Sequence, residues 1–331
     1  MRAVVLTRYG GPEVLRITEV PTPVPRPGEV RVKVGVIGIN FAEVLSRRGL
    51  YGWAPPLPYI LGMEASGEID AVGEGVTTHK PGDAVIVGTQ FGTYAEFICV
   101  AADRALTAPR GFSPQQSAAF AVNYLTAWIG LMEMARLRPS DTLLVTSAAG
   151  GVGTAAVQIG AKFGARVIGA AGATKLDAVR ALGADLALDY SELSRLPAVD
   201  VILEMSGGNV YRNALRHIAP MGRVVIAGAS AAFPRTRNPL ARLAALRNLP
   251  RASIFDMLRR SYGVISFHVG WLLDGGAVAP HYRDLVDFTE SHGITPVVGR
   301  EFAFEEIGEA HRVLEERGNV GKVVIHVNVR A

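Results

Sequence analysis

A glycine-rich turn near the middle of the chain joins a short apolar run to an amphipathic one, in the segment TLLVTSAAGGVGTAAVQIGAKFG (142–164). The first run has the composition of a buried strand, and the second has the period of a helix. Between them the chain matches an A-x-G-x-x-G pattern, with Ala148 in the first place of the dinucleotide-binding fingerprint. Gly150 would let the backbone approach a pyrophosphate, and Gly153 would let the helix pack closely on the strand. The segment predicts a dinucleotide site at a helix N-terminus; a tight turn without a ligand is the alternative.

Strands and helices alternate around this turn, which predicts a parallel, doubly wound sheet. The predicted strands are 142–146, 166–170, 186–188, 200–203 and 223–227. The predicted helices are 113–119 and 122–137 before the turn, then 152–163, 174–182 and 210–218. The chain is predicted to finish with a strand from 264, helices at 282–292 and 304–317, and a strand at 322–327.

The first third of the chain has a different pattern: short runs rich in β-branched residues, separated by turns that contain Gly and Pro. These predicted strands are 2–7, 14–20, 29–39, 65–76, 84–87 and 93–100. Several short strands at such spacing favour a partly open β-barrel.

Composition excludes several classes of protein. Hydrophobic residues make up 49% of the chain and charged residues 19%, which is too apolar for a disordered chain. The net charge of +4 is a weak basis for nucleic-acid binding. A single cysteine, Cys99, allows neither an internal disulfide nor a cysteine-based zinc site. The long uncharged stretch 111–132 contains seven Ser, Pro, Gln, Asn or Thr residues, so we expect a soluble cytoplasmic protein without stable membrane insertion.

The end of the second predicted strand bears on which cofactor is bound. A site for NAD places Asp or Glu there, to bond the ribose hydroxyls. This chain has AAGATK (170–175), and its next acid is Asp177, inside the following helix. A 2′-phosphate would meet no repulsion there, and Lys175 would supply positive charge to it. The sequence favours NADPH, unless Lys175 is simply a solvated lysine.

Motifs along the whole chain resemble one family of enzymes. They are MRAVVLTRYGGPEVL, PGEVRVKVGVIGINFAEVLSRRGLY, LPYILGMEASGEIDAVGEGV, PGDAV, AAGGVGTAAVQIGAKFGARVIG, LGAD and GNVGKVVI. The chain resembles the zinc-independent quinone oxidoreductases of the medium-chain dehydrogenase/reductase superfamily, and in particular the subgroup of synaptic-vesicle membrane protein homologues.

The resemblance implies an α/β fold of two domains, with the active site in the cleft between them. A GroES-like catalytic domain, a partly open β-barrel, would comprise 1–121 and 265–331. A doubly wound Rossmann-fold domain that binds NADPH would comprise 122–264.

The same resemblance bears on metal binding. Zinc-dependent relatives place Cys where this sequence has Asn40, and His where it has Met63. An amide and a thioether would not hold Zn²⁺, so we expect no metal. A metal-free site polarises an alcohol poorly, which favours hydride transfer to quinones or other α,β-unsaturated carbonyl compounds.

Two residues are predicted to act at the acceptor. Asn40 stands at the position of the zinc cysteine, where a helix-capping role is the alternative. Tyr51 matches a tyrosine that lines the quinone site in similar enzymes, and its hydroxyl could donate to the acceptor oxygen. Packing against 55–58 is the alternative for Tyr51.

The resemblance and the glycine turn together give a set of predicted cofactor-binding residues. They are Asn40, Thr126, Ala149, Gly150, Gly151, Val152, Gly172, Lys175, Tyr190, Phe267, His268, Val269 and Asn319. Besides Asn40 and Lys175, three of them have structural alternatives: an intrahelical hydroxyl bond for Thr126, a core position for Tyr190 and simple packing for His268.

An arginine-rich segment at about 235–260 is unlike the smaller quinone oxidoreductases. It contains seven arginines and one acid, Asp256, and predicts two surface helices at 239–248 and 253–261. A lid, an anionic-substrate site or a lipid contact are alternatives. By resemblance we expect a homodimer along 263–267 and a small-molecule quinone or enone substrate, with no nucleic acid as partner. An alternative function is NADPH binding with little catalysis, in a structural or membrane-trafficking role.

Overall fold

The chain divides into two compact units. The computed structural model describes residues 1–230, 233, 246–274 and 278–327. The first unit comprises Met1–Asn123 and Val269–Ala331, and the second unit comprises Tyr124–His268. Most of the predicted helix 239–248 lies outside the described residues, and its described end is a 3₁₀ turn, Leu246–Asn248.

The first unit begins with antiparallel strands of 2 to 11 residues. They are β1 (Arg2–Leu6), β2 (Ile17–Glu19), β3 (Glu29–Ile39), β4 (Tyr59–Ile60), β5 (Glu64–Val72), β6 (Ala84–Gly88), β7 (Phe97–Ala101) and β8 (Ala105–Thr107). The helices of this part are α1 (Phe41–Arg47), α2 (Pro114–Ala118) and α3 (Ala121–Trp128), which crosses into the second unit. Ser113 caps α2, as predicted: its hydroxyl accepts the N–H of Gln116 at 3.2 Å, and Pro114 takes the first helical position.

A parallel sheet forms the centre of the second unit. Its strands are β9 (Thr142–Val145), β10 (Arg166–Ala171), β11 (Leu186–Asp189), β12 (Val199–Glu204), β13 (Ile218–Ile226) and β14 (Gly263–Ser266). Its further helices are α4 (Gly151–Phe163), α5 (Leu176–Ala181), α6 (Gly208–Leu215) and α7 (Ile254–Arg260). Within the described residues the strand order is β11-β10-β9-β12-β13-β14. The order reverses between β9 and β12, as in doubly wound sheets that bind dinucleotides.

The chain then returns to the first unit. The remaining elements are α8 (Val269–Asp274), α9 (Ala279–His292), β15 (Val298–Ala303), α10 (Ile307–Glu315) and β16 (Lys322–His326). Strand β16 pairs with β3, so the last strand completes the sheet that the early strands began. One described core cluster contains Val4, Val32 and Ile69 of the early strands together with Phe304 and Ile325 from the end of the chain.

The structure corrects three of the predicted elements. The predicted strand 14–20 is a 3₁₀ turn, Pro12–Val14, followed by the short strand β2. The predicted helix 210–218 is wrong at its end, because α6 stops at Leu215 and Ile218 pairs with Val199 in the sheet. The predicted helix 122–137 changes after Trp128 into a π-helical segment, Ile129–Met134. No described helix has both the length and the apolar character needed to cross a bilayer.

Candidate active site

The glycine-rich turn lies at the N-terminus of α4. Gly150 takes the N-cap position, and no side chain caps the first N–H groups of this 13-residue helix. A Cβ atom at Gly153 would lie 2.1 Å from the carbonyl oxygen of Ser147 and 2.7 Å from the Cα of Ala148. Only glycine allows this approach of helix to turn. Uncapped N–H groups at a helix N-terminus suit a phosphate, so the segment fits a dinucleotide.

Polar side chains connect this turn to the end of β12. The hydroxyl groups of Ser147 and Ser206 lie 2.8 Å apart. Glu204 is fully buried, and its Oε1 accepts the N–H groups of Ser206 at 2.7 Å and Gly207 at 2.5 Å. Burial raises the pKa of Glu204 to about 7, against the lowering effect of those N–H groups. Glu204 therefore fixes the turn after β12 beside the glycine-rich turn.

The segment after β10 carries the candidate phosphate partner. Gly172 has open space where a Cβ would stand, and its carbonyl accepts the N–H of Lys175 at 2.9 Å. Asp189, at the end of β11, faces the same segment. The Ser191 N–H and hydroxyl hold the pKa of the Asp189 carboxyl below its usual range, and the N–H groups of Tyr190 and Ala173 add to this effect. The carboxylate of Asp189 therefore lies next to the segment that carries Lys175.

The second unit holds most of the predicted cofactor residues. Thr126 is buried in α3, and Tyr190 packs against the core cluster around β10 and β12. Phe267 follows β14, and a Cβ at Gly130 would lie 3.5 Å from its ring. His268 is half-buried next to Phe267. These residues, with Ala149–Val152 (149–152), Gly172 and Lys175, belong to the second unit.

The remaining predicted residues belong to the first unit. They are Asn40, Tyr51, Val269 and Asn319. The Nδ2 of buried Asn319 donates to the carbonyl of Gly321 at 2.6 Å, which fixes the turn before β16. The ring of Tyr51 makes edge contacts with Trp53 at 5.3 Å and Phe91 at 6.4 Å between centroids, so it sits in an aromatic group.

Asn40 lies inside a buried charged cluster. Its Oδ1 accepts from the Nζ of Lys322 at 2.6 Å, and its Nδ2 donates to the Oε1 of Glu64 at 3.0 Å. Lys322 and Glu64 also form an ion pair, and both are almost completely buried. The second oxygen of Glu64 accepts the N–H of Val122 at 2.9 Å. Both ends of the Asn40 amide are therefore fixed, which leaves one N–H of Nδ2 for a further partner.

A second buried carboxyl lies one helical turn beyond Asn40. Glu43 accepts the N–H of Asn40 at 2.5 Å, the N–H of Met63 at 2.6 Å and the hydroxyl of Tyr94 at 3.0 Å. Burial raises the pKa of Glu43 to about 7, although these donors and the charge of Lys322 lower it. In the described part of the chain, no group of three His, Cys, Asp or Glu side chains has the arrangement of a metal site.

Family models match both units. A model described as "Alcohol dehydrogenase GroES-like domain" matches residues 26–110, and one described as "Zinc-binding dehydrogenase" matches residues 182–325. The human synaptic vesicle membrane protein VAT-1 homolog is 33% identical over 342 residues, which are 98% of this chain and 86% of that protein. Rat quinone oxidoreductase is 30% identical over 338 residues, 98% of this chain and 97% of that protein. The chain belongs to the quinone oxidoreductase and VAT-1 homolog family of medium-chain dehydrogenases/reductases.

A solved structure confirms the predicted fold class of this medium-chain dehydrogenase/reductase. The quinone oxidoreductase of Thermus thermophilus, solved alone and with NADPH, is 34% identical and has a TM-score of 0.80. The match covers 99% of this chain and 100% of that chain. The fold is thus a GroES-like domain combined with a Rossmann domain.

The sequence did not single out five charged residues that lie beside predicted site residues or beside the glycine-rich turn. They are Glu43, Glu64, Asp189, Glu204 and Lys322. The spacing of Asn40 and Glu43 is a capping-box pattern, which could have drawn attention to Glu43. Glu64 and Lys322 lie in motifs that carried the resemblance, but nothing in the sequence indicated that they pair across 258 residues.

Proposed function

We propose that this protein is an NADPH-dependent, zinc-independent reductase that transfers hydride to quinones or other α,β-unsaturated carbonyl compounds. The second unit would bind NADPH through the α4 N-terminus, Gly172 and Lys175. The first unit would bind the acceptor at Asn40 and Tyr51. The observation that carries the proposal is the glycine-rich turn, whose backbone geometry excludes a side chain at Gly153.

The environment of Asn40 supports a reaction without zinc. The Lys322 ammonium bonds to Asn40, at the position where zinc-dependent relatives have a cysteine. A buried cation next to this position would repel Zn²⁺. Met63, at the position of the zinc histidine, offers a thioether, which is a soft ligand that suits Zn²⁺ poorly.

In the proposed reaction, the protein has to orient the cofactor and donate hydrogen bonds to the acceptor. NADPH, when bound, supplies the hydride, and the acceptor must be electrophilic because no metal polarises it. The free N–H of Asn40 Nδ2 and the hydroxyl of Tyr51 are the donors that would stabilise charge on the acceptor oxygen. The fixed direction of the Asn40 amide would matter more than its acidity, because a preorganised donor needs no rearrangement during the reaction.

The test is oxidation of NADPH and NADH by chelator-treated protein with 9,10-phenanthrenequinone as acceptor. We expect turnover with NADPH that chelation and added Zn²⁺ leave unchanged. Turnover that requires Zn²⁺ would contradict zinc independence. Tight NADPH binding without turnover of any quinone or enone would instead support the alternative of an NADPH-binding protein with little catalysis.

Removing the positive charge of Lys175 should change the preference between the two cofactors. We expect Lys175→Met to raise the KM for NADPH by about 10-fold and to leave the KM for NADH nearly unchanged, because only NADPH has a 2′-phosphate. Initial rates with each cofactor would show this.

A matched control is Lys162→Met, which removes the same charge from an exposed position at the far end of α4. Its KM values should equal those of the wild type. An equal rise in both KM values for Lys175→Met would show that Lys175 does not contact the 2′-phosphate.

The expected homodimer, which we also propose, would use the edge of the second unit. Strand β14 ends the described sheet, and the preceding helix α7 exposes Ile254, Phe255 and Leu258 by 74–78%. An exposed apolar helix face, followed in the chain by the strand that ends the described sheet, favours association with a second copy. Light scattering should give twice 35.2 kDa, and the double variant Phe255→Glu/Leu258→Glu should give the monomer mass.

The control for that experiment is Val24→Glu, which changes an equally exposed apolar residue of the first unit. The Val24→Glu variant should still give twice the monomer mass in light scattering. A wild-type protein of monomer mass would refute the dimer.

A further inference from the structure

Glu43 connects three separate segments of the first unit through its carboxylate. It is 1% exposed and stands in the first turn of α1. Its donors are the N–H of Asn40 before α1, the N–H of Met63 before β5 and the hydroxyl of Tyr94 before β7. No other described side chain bonds to the backbone of both Asn40 and Met63 in this way.

We propose that Glu43 is a positioning residue, which holds the backbone of Asn40 and Met63 in the arrangement that acceptor reduction requires. This inference rests on the proposed function, in which Asn40 contacts the acceptor. The direction of a side chain depends on the backbone that carries it. Lys322 and Glu64 hold the side-chain amide of Asn40, and Glu43 holds its backbone N–H. Both sets of contacts are therefore needed to fix the direction of the Asn40 side chain.

Tyr94 and His311 fix the third hydrogen bond of Glu43. The Tyr94 hydroxyl has one proton, which it donates to Glu43, so the neighbouring Nε2 of His311 must donate to the Tyr94 oxygen at 2.8 Å. Burial and the nearby charge of Arg47 hold the pKa of His311 well below its usual range, so the imidazole stays neutral. Its Nδ1 has no hydrogen-bond partner among the described residues. Tyr94 is thereby held towards Glu43.

A proton on Glu43 would weaken this arrangement. The ionised carboxylate accepts three hydrogen bonds, two on Oε2 and one on Oε1. A carboxylic acid must place its own proton on one of these oxygens, where it competes with a donor. The charged and titratable groups around the cluster are Lys322, Arg47, Glu64, Tyr94 and His311. Of these, the charge of Lys322 and the hydrogen bond from the Tyr94 hydroxyl favour the ionised form of Glu43.

The first measurement needs neither cofactor nor acceptor. In the full-length protein, the amide ¹H shifts of Asn40 and Met63 would be followed by NMR from pH 5.5 to 8.5. We expect both amides to titrate together, with a midpoint near the Glu43 pKa of about 7. Glu43→Gln should abolish this shared titration, and Glu68→Gln, on an exposed position of β5, should retain it.

Tyr94→Phe provides a second variant that keeps Glu43. It removes a donor to the ionised carboxylate, so the pKa of Glu43 should rise and the midpoint should move up by about one pH unit. A midpoint that stays in place, or amides that do not titrate in the wild type, would overturn the inference.

The second measurement is the pH profile of quinone reduction. As pH rises through about 7, Glu43 ionises and kcat should rise with the same midpoint as the amides. Glu43→Gln should lower kcat by about 10-fold and flatten the profile, with an unchanged KM for NADPH. A wild-type profile in Glu43→Gln would overturn the inference. Shared amide titration in a wild type without turnover would instead reject the proposed function and leave the contacts of Glu43 intact.

Discussion

Lys322→Met should destabilise the protein by about 3–5 kcal/mol, because it leaves the buried carboxylate of Glu64 without its ion partner. The methionine fills nearly the same space, so the loss would come from charge rather than from a cavity. Asn40 Nδ2 and the N–H of Val122 would still bond to Glu64, but two N–H donors do not neutralise a charge. We expect a fall of roughly 10 °C in the melting temperature, measured by calorimetry.

Two further variants separate charge from packing. Lys33→Met makes the same substitution at an exposed position of β3 and should change the melting temperature little. The double variant Glu64→Gln/Lys322→Met removes the unpaired charge and should recover at least half of the loss. If Lys322→Met were as stable as the wild type, the buried pair would contribute nothing to the fold.

Gly153→Ala should weaken NADPH binding by roughly 100-fold, because the added Cβ would overlap backbone atoms that have no alternative position. The nearest are the Ser147 oxygen at 2.1 Å and the Ala148 Cα at 2.7 Å. Helix α4 would have to move away from the turn, and the uncapped N–H groups would move with it. Titration of NADPH fluorescence would measure the affinity.

The matched substitution is Gly35→Ala in β3, whose Cβ would meet its nearest atom at 3.7 Å, an ordinary contact distance. It should bind NADPH as the wild type does. Unchanged affinity in Gly153→Ala would contradict the assignment of the phosphates to this turn.

The glycine-rich turn could be predicted because its information is local. A strand, a turn without side chains and a helix follow one another within about twenty residues, and each has its own pattern. The same holds for Ser113, whose capping of α2 depends on neighbours three residues away. The end of α6 was mispredicted because the apolar residue Ile218 suits a helix face as well as a strand, and pairing with Val199 decides between them.

The cluster around Asn40 could not be predicted in the same way. Asn40, Glu64 and Lys322 come from a helix cap and two strands, and only the register of β16 on β3 brings Lys322 to the other two. No pattern in a single sequence indicates which charged residues pair when they lie so far apart along the chain. The resemblance indicated Asn40 because zinc-dependent relatives have a cysteine at this position. It gave no indication that Asn40 contacts Lys322 and Glu64.

The pairing of β16 with β3 also sets an order of events during synthesis. Glu64 is made early, whereas Lys322 leaves the ribosome only after the whole second unit has been made. At a typical elongation rate of about 5–20 residues per second, Glu64 waits more than about ten seconds for its counter-ion. During that time all of the second unit has been synthesised, whereas the seven-stranded sheet of the first unit still lacks β16. The glycine-rich turn is therefore complete in the nascent chain well before the buried cluster of Asn40, Glu64 and Lys322 can form.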